Sequence, residues 1–200
     1  MKFYESGDSS KPVIFLFPGT CCLYSSFDHI LDRLHSYFYT VTVSYDGFDP
    51  NEKTEFYSME DECEKIEQEI KKKYDGRIKA AYGCSLGGSF VSLLIQRKRI
   101  HIDHGIIGSS DMDEAGRLVA KIQSSMVVPF MYKMIHTGVL PKFMQKKLNK
   151  TDEVKKELYN GFLNMFGIGK GGSPWITKQS IYNQFYSDLV TKVQHGIDVP

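Results

Sequence analysis

The chain lacks an excess of charge of either sign, a long apolar run and any clustered cysteine pattern. Its 200 residues hold 25 Lys and Arg against 24 Asp and Glu. That near balance gives no electrostatic reason to expect nucleic acid or an anionic membrane as partner. No apolar stretch approaches the roughly 18 residues needed to span a bilayer. The opening MKFYESGDSSKP has no apolar run before its first Pro and so does not read as a secretory signal; the expected location is the cytoplasm. Cys21, Cys22, Cys63 and Cys84 show no paired metal-ligand spacing, and neighbouring Cys21 and Cys22 are a poor start for a disulfide framework. Reduced thiols are expected. Two phosphate-binding patterns are absent as well. G-x-G-x-x-G fails at Ser85, and no Gly-Lys-Ser/Thr follows the Gly-rich turn there.

What is present suits one soluble domain with a sizeable core, since 42% of the residues are hydrophobic. Val13 to Phe17 is an uninterrupted apolar run stopped by Pro18-Gly19, as expected of a strand buried on both faces of a parallel sheet. Apolar residues from Tyr24 to Phe38 recur at helical spacing. Tyr39 to Tyr45, β-branched and aromatic, predicts a second strand ending at Asp46-Gly47. Ser58, with Asp61 three residues on, predicts a capped helix whose stripe is Met59, Cys63, Ile66, Ile70 and Tyr74. Acidic residues crowd its start, Lys71 to Lys73 its end, and Gly76 is placed to stop it. Arg77–Tyr82 and His101–Gly108 predict two further strands, with a buried helix over Phe90–Ile95 between them. This alternation predicts an α/β fold with right-handed βαβ units on a mostly parallel sheet.

After Asp111 the pattern is helical to about residue 195, without a convincing strand. Six of the eight methionines and several aromatics lie there. Such helices form either plain core or an inserted lid lining an apolar pocket. Gly167, Gly169, Gly171, Gly172 and Pro174 predict a connector between two helical stretches.

The chemistry-bearing stretch is Gly83-Cys84-Ser85-Leu86-Gly87, which fits G-x-S-x-G between a strand and a helix. A nucleophile at the apex of such a turn forces the residues two places before and after it into close approach, so both must be small. Ser85 has Gly83 and Gly87 there; Cys84 would have Tyr82 and Leu86. Spacing thus selects Ser85 and leaves Cys84 as filler. The turn also sets the Leu86 N–H at a helix start, where a free donor can hold an oxyanion. A second donor is expected from the loop after the first core strand, FPGTCC: Thr20 first, Cys21 next, unless that loop is an ordinary strand-to-helix turn.

With PGT, SYDG and GCSLGG each following a core strand, the sequence resembles the α/β-hydrolase superfamily. The resemblance covers residues 1–111 as core; 112–195 is similar to the superfamily's helical cap or lid, and 196–200 would begin the return to the core. It implies an acyl-enzyme on Ser85, no metal or organic cofactor, and the order Ser, then Asp or Glu, then His. The first loop often begins His-Gly in that superfamily, and here it begins Pro18-Gly19. One reading makes these residues the N-terminal part of a longer protein whose acid and histidine lie beyond Pro200. Otherwise Asp111, after the fourth strand, is the weak candidate acid, and His136 and His195 are the histidines downstream of it. His29, His35, His101 and His104 read as structural, and Asp46 as a turn residue at the ligand-binding edge of the sheet. The expected function is a serine hydrolase, a carboxylesterase or lipase acting on a small-molecule apolar ester. The alternatives are a non-catalytic domain of the same fold that binds an apolar ligand or a protein, and acyl transfer or amide cleavage by the same elbow.

Overall fold

The computed structural model describes residues 1–110, 114–169, 171–194 and 196, and of Lys147 the backbone alone. Five strands form one sheet: β1 (Lys2–Ser6), β2 (Val13–Phe17), β3 (Tyr39–Ser44), β4 (Arg77–Cys84) and β5 (His101–Gly108), in the order β1-β3-β2-β4-β5. β1 runs antiparallel to β3 and every other pairing is parallel. Strand β1 has no counterpart among the expected strands. Its sequence, KFYES, is short and half polar, and it caps the sheet edge.

The continuous apolar run of β2 has a direct cause. Phe15 and Phe17 point into a core with Val41, Val43, Ile66, Ile70, Ala81 and Phe90. Ile14 and Leu16 face the opposite side, where they meet Phe27, Ala80 and the flanking Ile30, Leu31 and Leu34. The second layer is a short 3-10 turn (Tyr24–Phe27) continuing into α1 (Asp28–Leu34). Helices α2 (Met59–Lys73) and α3 (Leu86–Arg97) cover the first layer. α2 starts as its sequence requires, with Ser58 Oγ accepting the Asp61 N–H at 3.1 Å. It ends with the Gly76 N–H donating to Ile70 O at 3.1 Å and Gly76 at φ +75°. Midway along α2 the buried Glu67 carboxylate is held by Arg97 of α3, Nε to oxygen 2.5 Å.

After β5 come α4 (Arg117–Thr137), α5 (Lys142–Leu148), α6 (Glu153–Asn164) and α7 (Lys178–Val190). Among the described residues this segment holds no strand, and none of its helices is long and apolar enough to cross a membrane. Between α6 and α7, Gly167, Gly169, Gly171 and Gly172 all adopt positive φ, the connector that their spacing predicts. α7 returns to the core: Ser187 Oγ accepts the Met59 N–H at 2.8 Å, and Asn183 Nδ2 donates to Phe56 O at 2.7 Å.

Candidate active site

Ser85 stands between β4 and α3 with φ +54° and ψ −125°, a left-handed conformation that a side chain adopts only under strain. The turn is held tightly. The Ser85 N–H donates to Gly108 O at 2.8 Å, and Ser85 O accepts from the Gly88 N–H at 2.7 Å. A Cβ on Gly83 would lie 1.9 Å from Gly87 O, and one on Gly87 would lie 2.1 Å from Phe17 O. Both neighbours must therefore be glycine, which is the crowding that the G-x-S-x-G spacing predicts. The Ser85 side chain is exposed. Cys84, half-buried, is the last residue of β4.

The loop after β2 lies against this turn. A Cβ on Gly19 would lie 3.2 Å from Cys84 O and 3.6 Å from Ser85 Cβ. Gly19 to Cys22 closes as a tight turn, Cys22 N–H to Gly19 O 3.0 Å, with Cys21 at φ +60°. Tyr45, buried and stacked on Phe90 at 4.8 Å, anchors the loop by donating its hydroxyl to Pro18 O at 3.1 Å. The Cys21 N–H donates to Gln184 Oε1 of α7 at 2.7 Å, so it is engaged. Neither the Thr20 nor the Leu86 N–H has an acceptor among the described residues. Of the two loop donors that the sequence offers, Thr20 is thus the free one.

The loop thiols are buried and hard to ionise. Burial pushes the Cys22 thiol up to about 12, with the nearby Cys84 adding to it, and burial raises Cys21 well above the usual range. All four cysteines are free.

The described histidines sit elsewhere. His35 shares hydrogen bonds with Ser6 (3.0 Å) and Thr40 (3.2 Å). His101 meets Asp103 at 3.1 Å. His136 stacks on Tyr132 at the end of α4, and His104 is exposed on β5. Asp111, His195 and the segment 197–200 lie outside the described residues. Asp46 is more than a turn residue. It binds the Met1 ammonium and Lys65, and its N–H donates to the buried Glu62 at 3.0 Å. A cavity of about 1100 Å³ opens between α6 and the start of α1, lined by Ser25, His29, Leu158, Phe162 and Met165 among others. Ser85 is not among its lining residues. One of its lining residues, Met165, accepts the Leu23 N–H through its carbonyl at 2.9 Å.

Solved structures share the fold of this chain. An α/β hydrolase family protein from Desulfitobacterium hafniense superimposes with a TM-score of 0.70 at 16% identity, over 94% of this chain and 72% of its own. A thermophilic esterase from Thermogutta terrifontis does so with 0.68 at 14%, over 94% and 66%. MenH from S. aureus gives 0.66 at 13%, over 95% and 72%. This chain has the α/β-hydrolase fold. It spans about two thirds to three quarters of the length of those proteins. No family model and no curated protein matches the sequence.

The sequence missed one residue at the site, Gln184. The polar positions Ser180, Gln184 and Ser187 recur on one face of α7 and would be assigned to solvent, yet all three are buried.

Proposed function

We propose that the protein is a serine hydrolase in which Ser85 forms an acyl-enzyme with an ester substrate. The observation that carries this reading is the strained backbone at an exposed Ser85, wedged between Gly83 and Gly87, with one unengaged amide, Leu86, next in its turn and another, Thr20, in the loop whose Gly19 packs against it. Ser85 Oγ attacks the carbonyl carbon, and its proton passes to a histidine outside the described residues. The Leu86 and Thr20 N–H groups receive the charge developing on the carbonyl oxygen. Collapse expels the alcohol with that proton, and water then releases the acid by the same path. The histidine and its acid are proposed to lie beyond Pro200, with Asp111 as the alternative acid. Residues 112–195 act as a cap over residues 1–111. An apolar acyl group is favoured by Leu158, Phe162 and Met165 in the cavity between α6 and the start of α1. The esterases among the compared structures agree with this reading.

A serine-directed fluorophosphonate applied to the full-length protein tests it. Labelling of the wild type and none of Ser85→Ala is the expected result. Absence of labelling in both would favour the second reading, a ligand-binding domain of the same fold; its motive is that no described histidine reaches Ser85.

A further inference from the structure

Helix α7 turns polar side chains toward the core, and two of them do ordinary structural work. Ser187 and Ser180 accept the Met59 and Phe56 N–H groups near the start of α2. Gln184 serves a different place. Its Oε1 crosses 163 residues of sequence to accept the Cys21 N–H at 2.7 Å, in the turn that opens at Gly19, which lies against Ser85.

Two features separate this contact from simple packing. Gln184 is wholly buried, yet its Nε2 has no hydrogen-bond partner among the described residues. A stranded buried donor is unfavourable, and an apolar side chain of similar size would avoid it. The carbonyl half of the amide is therefore the part the fold uses. The second feature is Cys21 itself, at φ +60° without being glycine. A residue in that region persists only where its surroundings hold it. The Gln184 bond is the holding contact on its N–H side, while the Cys22 N–H closes the turn on Gly19 O.

We infer that Gln184 is a positioning residue for oxyanion stabilisation: by engaging the Cys21 amide it locks the loop so that the Thr20 amide points at the oxygen of a Ser85 adduct. The inference rests on the Ser85 reading and adds a link to it. The helical segment after β5, through α7, controls the donor geometry supplied by the loop after β2.

The test compares Gln184→Met and Gln184→Glu with Ser85→Ala in the full-length protein, using p-nitrophenyl butyrate turnover and amide exchange at Cys21. Met keeps the volume and removes the acceptor. Glu keeps an acceptor oxygen in the same place. Gln184→Met is expected to lower kcat about 10- to 100-fold with KM changed less than about twofold, and to lose Cys21 amide protection. Gln184→Glu should recover most of the kcat. A folded Gln184→Met with wild-type kcat, or equal impairment of both variants, overturns the inference and leaves the Ser85 reading intact. Turnover surviving in Ser85→Ala overturns the reading and the inference with it. Should Gln184→Met fail to fold, wild-type exchange decides: a Cys21 amide exchanging as fast as an exposed loop amide rules the locking contact out.

Discussion

Ser85 carries its hydroxymethyl group on a backbone with φ +54° and ψ −125°, where a residue with a Cβ is strained by about 1–3 kcal/mol. Glycine occupies that region freely. Ser85→Gly should therefore stabilise the fold by about 1 kcal/mol, while Ser85→Ala, which keeps the Cβ, should leave stability nearly unchanged. Urea unfolding followed by circular dichroism measures both, and a destabilised Ser85→Gly would show that the turn carries no strain. The glycines beside it leave no such latitude. A methyl group on Gly83 or Gly87 would collide with backbone carbonyls at 1.9 and 2.1 Å, and backbone cannot give way as a flexible side chain can. That crowding is why the shape of this turn was legible from spacing alone. Gln184 was not, because an amide's role depends on what it faces across the fold, and Cys21 is 163 residues away.

At the scale of elements, the signals that came through were those with one dominant cause. β2 is buried on both faces, so its apolar run is unbroken, and β3, buried likewise, shows as a β-branched run; α2 shows its cap, its stripe and its stop in sequence. β1 gave no such signal, because an antiparallel edge strand needs only one apolar face, and KFYES alternates weakly. The junction of β3 with α2 was also hidden. Glu62 lies on the buried stripe of α2, where a carboxylate is uncommon. Burial raises it to about 7, with the neighbouring Asp46 charge adding to the shift, although Lys65 at 2.9 Å opposes it. An acid whose folded value lies above its unfolded value of about 4.5 binds its proton more tightly when folded. Its stabilising contribution is thus complete below about pH 4.5 and is lost as the pH rises through about 7. Asp46, held below the usual carboxylate range by Lys65 and the Met1 ammonium against its burial, contributes with the opposite sign and at lower pH. Glu62→Gln should therefore flatten the decline in melting temperature between pH 5 and 8. Parallel melting curves for the two proteins across that range would remove Glu62 as the cause.

For the whole molecule, the sheet has unlike edges. β1, with its charged Lys2 and Glu5, closes one side against β3. β5 forms the other, and no described strand pairs beyond it. Its Ile106 is 47% exposed and its Ile107 42%, on an edge where soluble proteins usually place charge. Leu118, Ile122, Met126 and Phe130 on α4 are exposed as well, spaced every fourth residue along one stripe. A strand edge with free N–H and C=O groups, flanked by apolar side chains, pairs readily with whatever strand reaches it. The 200-residue chain prepared alone is therefore expected to self-associate at micromolar concentrations, with a sedimentation coefficient that rises with loading. Ile106→Lys should suppress this several-fold; it is the better site for the change because Ile107 packs against Gly88 behind the Ser85 turn. A wild-type chain that stays monomeric at every concentration would show that β5 is protected from pairing, and would remove the edge as the place where this sheet meets another strand.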